Sequence, residues 1–228
     1  MGRHYPSDAE AIRDILEIGR RMYDRGFAAA NDGNISAKVS DTTLWATPTN
    51  VSKGFMTEDM LIKLDLDGNV LYGTHKPSSE LQLHLAVYRE NPALSGVVHA
   101  HPPVATAFSA AGIPLDTALL QEAVVLLGVI PVAPYALPGS RALAESAAAL
   151  CRDYLGALLA HHGVVAWGES VMQAYFRLER IEHTATVHMH MKTLGIERPL
   201  ENDIIDELIA LRPAWGVEGG GRPKGRET

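Results

Sequence analysis

Cysteine is almost missing from this sequence. Cys151 is the only one, so an intrachain disulfide is excluded. It lies in a run predicted to be helical, where it reads as buried filler. No block of basic residues occurs and the formal net charge is −7, which argues against a nucleic-acid partner. Small anionic substrates stay open, because they need only a local pocket of donors. Apolar runs are short. The longest, residues 118–133, is broken by Gln121, Glu122 and Gly128, so no membrane span is predicted. No signal peptide is visible, and a soluble, reducing, cytoplasmic setting is expected. There is no Gly-x-Gly-x-x-Gly, no Walker-type loop and no internal repeat, so nucleotide binding has no support.

The chain has 228 residues, 46% of them hydrophobic, enough to bury a sizeable core in one domain. The domain is expected over residues 1–215. Residues 216–228, with three consecutive glycines and scattered charges, are expected to form a disordered tail. Ser7 and Glu10 have the spacing of a capping box ahead of a helix that ends at Gly26. Residues 31–34 read as a turn. Short strands are predicted at residues 35–39, 44–47, 61–65 and 70–72, the last two joined by the turn Asp67-Gly68-Asn69. Helices are predicted at 79–89, 104–111, 117–127, 141–154, 169–194 and 202–211. Further strands are predicted at 95–99, 130–133, 157–161 and 164–167. The run at 95–99 is continuously apolar, as in a strand buried on both faces. Many strands are joined by short turns, which favours a mixed or antiparallel sheet with helices on both faces.

Two histidine clusters end apolar runs: His99-Ala100-His101 and His161-His162-Gly163. Residues at i and i+2 of an extended segment point to the same side. A third imidazole from a second strand and a carboxylate, Glu80, would complete a four-donor N/O site for a catalytic divalent ion, most often zinc. Adjacent residues of a strand point to opposite faces, so only one of His161 and His162 can face such an ion, and the pattern leaves open which. Released from the ion, Glu80 would be a general base beside it. Asn34, Thr49, Asn50, Ser78 and Ser79 are small polar residues in turn or helix-start positions that could bind phosphate, though Ser79 could equally cap the helix. His84, four residues after Glu80, reads as a supporting or core residue. His183, His188 and His190 share no helix face and read as solvated or interface positions.

Residues 31–36 (Asn-Asp-Gly-Asn-Ile-Ser), Thr47-Pro48-Thr49, Pro77-Ser78-Ser79-Glu80, Val98-His99-Ala100-His101, Ala133-Pro134-Tyr135 and His161-His162-Gly163 occur in that order. Together they resemble the class II aldolase/adducin family, typified by L-fuculose-1-phosphate aldolases, over roughly residues 12–195. The resemblance implies a three-layer α/β/α fold around a mostly antiparallel sheet, and a C4 homotetramer with interfacial active sites. It implies one divalent ion per subunit, Zn2+ first, with Mn2+ or Co2+ as alternatives. His99, His101, His162 and Glu80 would be the ligands, which selects the second histidine of the doublet. Phosphate would be held by Asn34, Ser78 and Ser79 with the Thr49-Asn50 loop.

The implied reaction is cleavage of a ketose 1-phosphate of fuculose, ribulose, 5-deoxyribulose or 5-methylthioribulose type. Its products are dihydroxyacetone phosphate and an aldehyde, formed through a metal-stabilised enediolate. Two positions depart from the fuculose enzymes. Asn50 stands where they have glycine, and Asn tolerates left-handed backbone angles better than most residues. No tyrosine occurs at residues 118–122, where they place a catalytic one. Gln121-Glu122 there resembles methylthioribulose-1-phosphate dehydratases of the same superfamily and nominates Glu122 as a proton donor. A dehydratase of that kind and a sugar-acid-phosphate decarboxylase are the alternative enzymes. A non-catalytic adducin-like interaction module is the alternative of another class.

Overall fold

The computed structural model describes residues 4–226. The first helix, α1 (Asp8–Asp24), starts as its sequence prescribes: the Ser7 hydroxyl accepts from Glu10 N–H and the Glu10 carboxylate accepts from Ser7 N–H. Gly26, at φ +69°, turns the chain away. Four strands follow as a meander: β1 (Asn34–Lys38), β2 (Thr43–Ala46), β3 (Ile62–Asp65) and β4 (Val70–Tyr72). Then come α2 (Leu81–Glu90), β5 (Gly96–Ala100), α3 (Pro103–Ala111), α4 (Gln121–Leu126), β6 (Val132–Ala133) and α5 (Arg141–Ala148). The chain closes with β7 (Gly156–Leu159), β8 (Gly163–Gly168), the long α6 (Val171–Leu194) and α7 (Asn202–Ala210).

The eight strands form one sheet in the order β4-β3-β2-β1-β5-β8-β7-β6, antiparallel throughout except for β6 against β7. One apolar layer joins Ile15 and Met22 of α1, Phe108 of α3 and Leu178 of α6 to Val98 and Val164 of the sheet. The other joins Leu85 and Tyr88 of α2 and Leu143 of α5 to Val97 and Val165. Neighbouring residues of β5 and β8 thus enter opposite cores, which is why both strands are apolar without alternation. The fold is three-layer α/β/α with a mostly antiparallel sheet.

Several predicted boundaries move, each for a tertiary reason. Residues 117–120 are not helical. Ala118 N–H bonds to Lys224 O and Leu200 N–H to Ala118 O, so this segment pairs with the end of the chain. The helix predicted over 141–154 ends at Ala148, and the chain continues in turns. Helix α2 begins at Leu81 rather than at residue 79.

The predicted disordered tail is corrected over the residues described, up to 226. Gly220 N–H bonds to Asp153 O, Val129 N–H to Gly220 O and Lys224 N–H to Asp116 O. The buried Arg212 guanidinium binds the carbonyls of Val124, Gly219 and Gly221. The glycines here serve close approach: a Cβ on Gly128 would lie 1.9 Å from Gly220 O. Residues 227 and 228 of the predicted tail lie outside the described residues.

Candidate metal centre

The centre of the sheet brings the site together. In the register, Asn34 at the start of β1 faces His99 near the end of β5, and Ala100 faces Val164 next to the start of β8. One end of three adjacent strands therefore carries Asn34, His99 and the turn that holds His162. Ring centroids of His99, His101 and His162 lie 4.7–5.0 Å apart pairwise. The first residue of the other doublet, His161, is not in a strand. It occupies the β7–β8 turn at φ +58° and is exposed, its ring edge-on to Tyr135. The tight turn, not strand alternation, separates the two rings.

The donor atoms converge. His99 Nε2 is 3.1 Å from His101 Nε2. Glu80 Oε2 is 3.3 Å from His99 Nε2, and Glu80 Oε1 is 3.0 Å from His162 Nε2. Behind the rings, His99 Nδ1 is 2.8 Å from Val164 O, and His101 Nδ1 is 3.2 Å from Asp32 Oδ2. Neither oxygen can donate, so both Nδ1 atoms carry hydrogen and both Nε2 lone pairs face the centre. Glu80 Oε1 makes no aligned hydrogen bond among the described residues, nor does the buried Nδ1 of His162. Lone pairs of this density repel unless a cation lies between them. Four ligands at tetrahedral Zn–N and Zn–O distances are separated by about 3.3 Å along each edge. The 3.1 Å between His99 and His101 and the 3.0 and 3.3 Å from the Glu80 oxygens to His162 and His99 are close to that, and the three imidazole ligand atoms all lie within 4.8 Å of one another, so the residues present fit a divalent ion.

A second set of buried groups holds Glu80 in place. Asn34 Nδ2 donates to Glu80 Oε2 at 2.9 Å, and Asn34 Oδ1 is 2.5 Å from His84 Nε2. The Asn34 oxygen must accept, so His84 carries its hydrogen on Nε2, and its Nδ1 accepts from Ser36 Oγ at 2.7 Å. Tyr88 OH lies 2.8 Å from the same Ser36 oxygen. Burial, with the neighbouring His99, pushes His84 down to about 3, so this chain of bonds stays neutral at physiological pH. Burial alone would raise the Glu80 carboxyl, but its contacts with His99 and His162 outweigh burial and hold the group well below the usual carboxylate range.

The segments expected to hold phosphate also meet. Pro48 bridges Pro77, and Thr49 N–H bonds to Lys76 O, so the 49–50 turn lies beside residues 76–79. Asn50 adopts φ +59°, the left-handed geometry its side chain tolerates. Ser78 Oγ accepts from Glu80 N–H, while Ser79 is exposed and makes no capping bond. Glu122 is not brought to the imidazoles within the chain. It is exposed at the start of α4, beside an apolar cavity lined by Val125, Leu208, Leu211 and Trp215. His183 and His190 are exposed as expected, but His188 is buried, edge-on to Phe108.

Sequence reasoning missed Asp32, Ser36, Lys53 and Tyr88. Ser36 and Tyr88 carry a usable signal, since a serine in an apolar strand and a tyrosine four residues beyond His84 both mark buried polar partners.

The pattern for the class II aldolase and adducin N-terminal domain matches residues 13–189. The 3-oxo-tetronate 4-phosphate decarboxylase of Pectobacterium atrosepticum is 35% identical over 183 residues, covering 78% of this chain and 84% of that protein. The L-fuculose phosphate aldolase of Methanococcus maripaludis is 33% identical over 184 residues, covering 81% and 98%. Among solved structures, an L-fuculose 1-phosphate aldolase superposes with a TM-score of 0.82 at 25% identity, covering 92% of this chain and 98% of the other. Fold, ordered motifs and the matched span agree, and the chain belongs to the class II aldolase/adducin family.

Proposed function

We propose that this carbon–carbon lyase is a metal-dependent aldolase that cleaves a ketose 1-phosphate to dihydroxyacetone phosphate and an aldehyde. The observation that carries the reading is the convergence of three imidazoles, their ligand atoms all within 4.8 Å of one another, with the Glu80 carboxylate 3.0 and 3.3 Å from two of them. His99, His101, His162 and Glu80 would hold one divalent ion, with zinc best suited to the N/O set and manganese or cobalt able to replace it. When bound, the ion would polarise two oxygens of a hydroxyketone and offset the enediolate charge that develops as the bond breaks.

The chain's own groups supply the proton chemistry. Glu80, ionised and held by Asn34, takes the proton from the substrate hydroxyl as the adjacent C–C bond breaks and the aldehyde leaves. It then returns that proton to the carbon left behind. Asn34 keeps the carboxylate aimed, and His84 keeps Asn34 aimed. Ser78, Ser79 and the Thr49-Asn50 turn, with the second amide hydrogen of Asn34, would hold the substrate phosphate. Glu122 enters only as a proton donor to a neighbouring copy's site. That arrangement suits a C4 tetramer, which would also cover exposed apolar side chains such as Trp215, 64% exposed. A cytoplasmic location belongs to the same proposal.

A second reading has its own support. Residues 118–122 contain no tyrosine, and loss of CO2 from a 3-oxo sugar-acid 4-phosphate needs no proton taken from a hydroxyl. The carbanion left by CO2 would then take its proton from solvent water, with the Glu80 carboxylate relaying it from that water to the carbon. The deciding experiment screens ketose 1-phosphates and 3-oxo acid 4-phosphates with zinc-loaded protein. Dihydroxyacetone phosphate is expected from the first class. CO2 released from a 3-oxo acid 4-phosphate, with no aldehyde formed from any ketose 1-phosphate, would replace the aldolase reading with the decarboxylase one, and silence on both classes would refute both. Glu80→Gln should lower turnover by about 10²-fold or more with the fold intact.

A further inference from the structure

The three imidazoles of the centre are supported differently, and one support is charged. His99 Nδ1 meets the backbone carbonyl of Val164, and His162 Nδ1 meets no partner among the described residues. Only His101 has a carboxylate behind it, with Asp32 Oδ2 at 3.2 Å from its Nδ1. We propose that Asp32 is a positioning residue that fixes the ring of His101 toward the ion, and that the buried Lys53 locks the turn from which Asp32 reaches it. The proposal rests on the metal-centre reading and adds two residues to it.

Asp32 is placed by a turn with little freedom. Its N–H bonds to Ala29 O, Ala30 sits at φ +49° and Gly33 at φ +78°. A Cβ on Gly33 would come within 2.9 Å of His99 O, so the turn is pressed directly against the strand that carries two of the imidazoles. Beneath the turn, Lys53 is 2% exposed. Its ammonium donates to Asn31 O at 3.0 Å and Val51 O at 2.6 Å. Those two carbonyls belong to the turn before Asp32 and to the loop after Asn50. One buried cation therefore ties the metal-side turn to the loop expected at the phosphate. Burial pulls Lys53 down to about 8, and Asp32 is the charge that opposes this pull.

Charge balance gives the arrangement a purpose. Three neutral imidazoles and the Glu80 carboxylate leave one positive charge of a divalent ion uncompensated. Asp32, one ring away, faces that charge through His101, makes its Nε2 more basic and selects the tautomer that can ligate. Asp32 is 45% exposed at its side chain, so as a mere turn residue it could be replaced without consequence for the centre.

The test measures affinity for Zn2+ and Co2+ by chelator competition, and the visible spectrum of the Co2+ form, in the full chain. Asp32→Ala should weaken binding about 10- to 100-fold and shift the Co2+ spectrum. Asp32→Asn keeps an acceptor oxygen without its charge and should recover part of the loss. Lys53→Met should weaken binding in the same direction by a smaller factor. Circular dichroism of each variant should match the unsubstituted chain. Folded Asp32→Ala and Asp32→Asn proteins with affinities within twofold of the original would overturn the proposal and leave the metal centre standing. An unsubstituted chain that binds neither ion would overturn the metal centre itself, and the proposal with it.

Discussion

Gly163→Ala is the most direct mechanical test of the centre. Gly163 opens β8 immediately after His162 and lies behind the imidazoles. A Cβ there would stand 2.6 Å from Ala100 O and 2.5 Å from Cδ2 of His101, with His99 Cε1 at 3.4 Å. The backbone clash falls about 0.8 Å short of ordinary contact, and the oxygen is fixed in the β5–β8 ladder, so the strands or the His101 ring must yield. Gly163 has no positive φ, so an alanine carries no conformational strain and the whole effect is collision. Overpacking of this kind costs about 1–3 kcal/mol of stability. Metal sites tolerate ligand shifts of only about 0.2 Å, so metal affinity should fall by more than the stability loss alone would cause.

The matching control is Gly112→Ala, at φ +67° with nothing within 4 Å. It should cost about 1 kcal/mol of backbone strain and leave metal affinity unchanged. Chemical denaturation and chelator competition on both variants separate the two effects. A Gly163→Ala protein with original stability and affinity would refute the close-packing argument.

Removing the His84 imidazole with His84→Leu strands Asn34 Oδ1 in the core and leaves Ser36 Oγ with Tyr88 OH as its remaining partner. A loss of about 2–5 kcal/mol is expected in urea unfolding, with a fall in kcat that exceeds any change in KM. His84 also sets a pH trend. Its folded value of about 3 lies below its ordinary 6.5, chiefly because it is buried, with Glu80 the charged neighbour facing it. The unfolded chain therefore binds more protons between these limits, so His84's contribution is full above pH 6.5 and is lost as pH falls toward 3. Unfolding midpoints that stay flat from pH 7 to 4 would contradict this. Arg212→Met removes the fork that binds Val124, Gly219 and Gly221 carbonyls. Limited proteolysis should then cut within residues 216–226, and a resistant variant would show that the tail holds without the fork.

Much of the fold is legible in the sequence. The Ser7/Glu10 box fixes the start of α1, the unbroken apolar run of β5 marks a strand buried on both faces, and the Asp67-Gly68-Asn69 turn joins β3 to β4. The spacing of His99 and His101 places two imidazoles on one side of a strand. These are local signals, set by periodicity and turn chemistry over a few residues.

Tertiary structure decided what depends on distant partners. Composition assigns residues 216–226 to disorder, yet carbonyls of Asp153 and Asp116 and the Arg212 guanidinium hold them, because a glycine-rich segment can lie closer to another backbone than any other. Asn34 looks only like a phosphate donor in sequence, and the fold adds a role that spacing does not show, with Nδ2 donating to Glu80 and Oδ1 accepting from His84. Asp32 reads as turn filler until the β1–β5 pairing carries its loop against His101. By itself the sequence determined which residue types could form the centre and on which elements they lie. Which lone pairs converge, and which polar groups hold them there, followed only once the sheet had set three strand ends side by side. Hydrogen-bond direction is a property of positions in space that no spacing along the chain records.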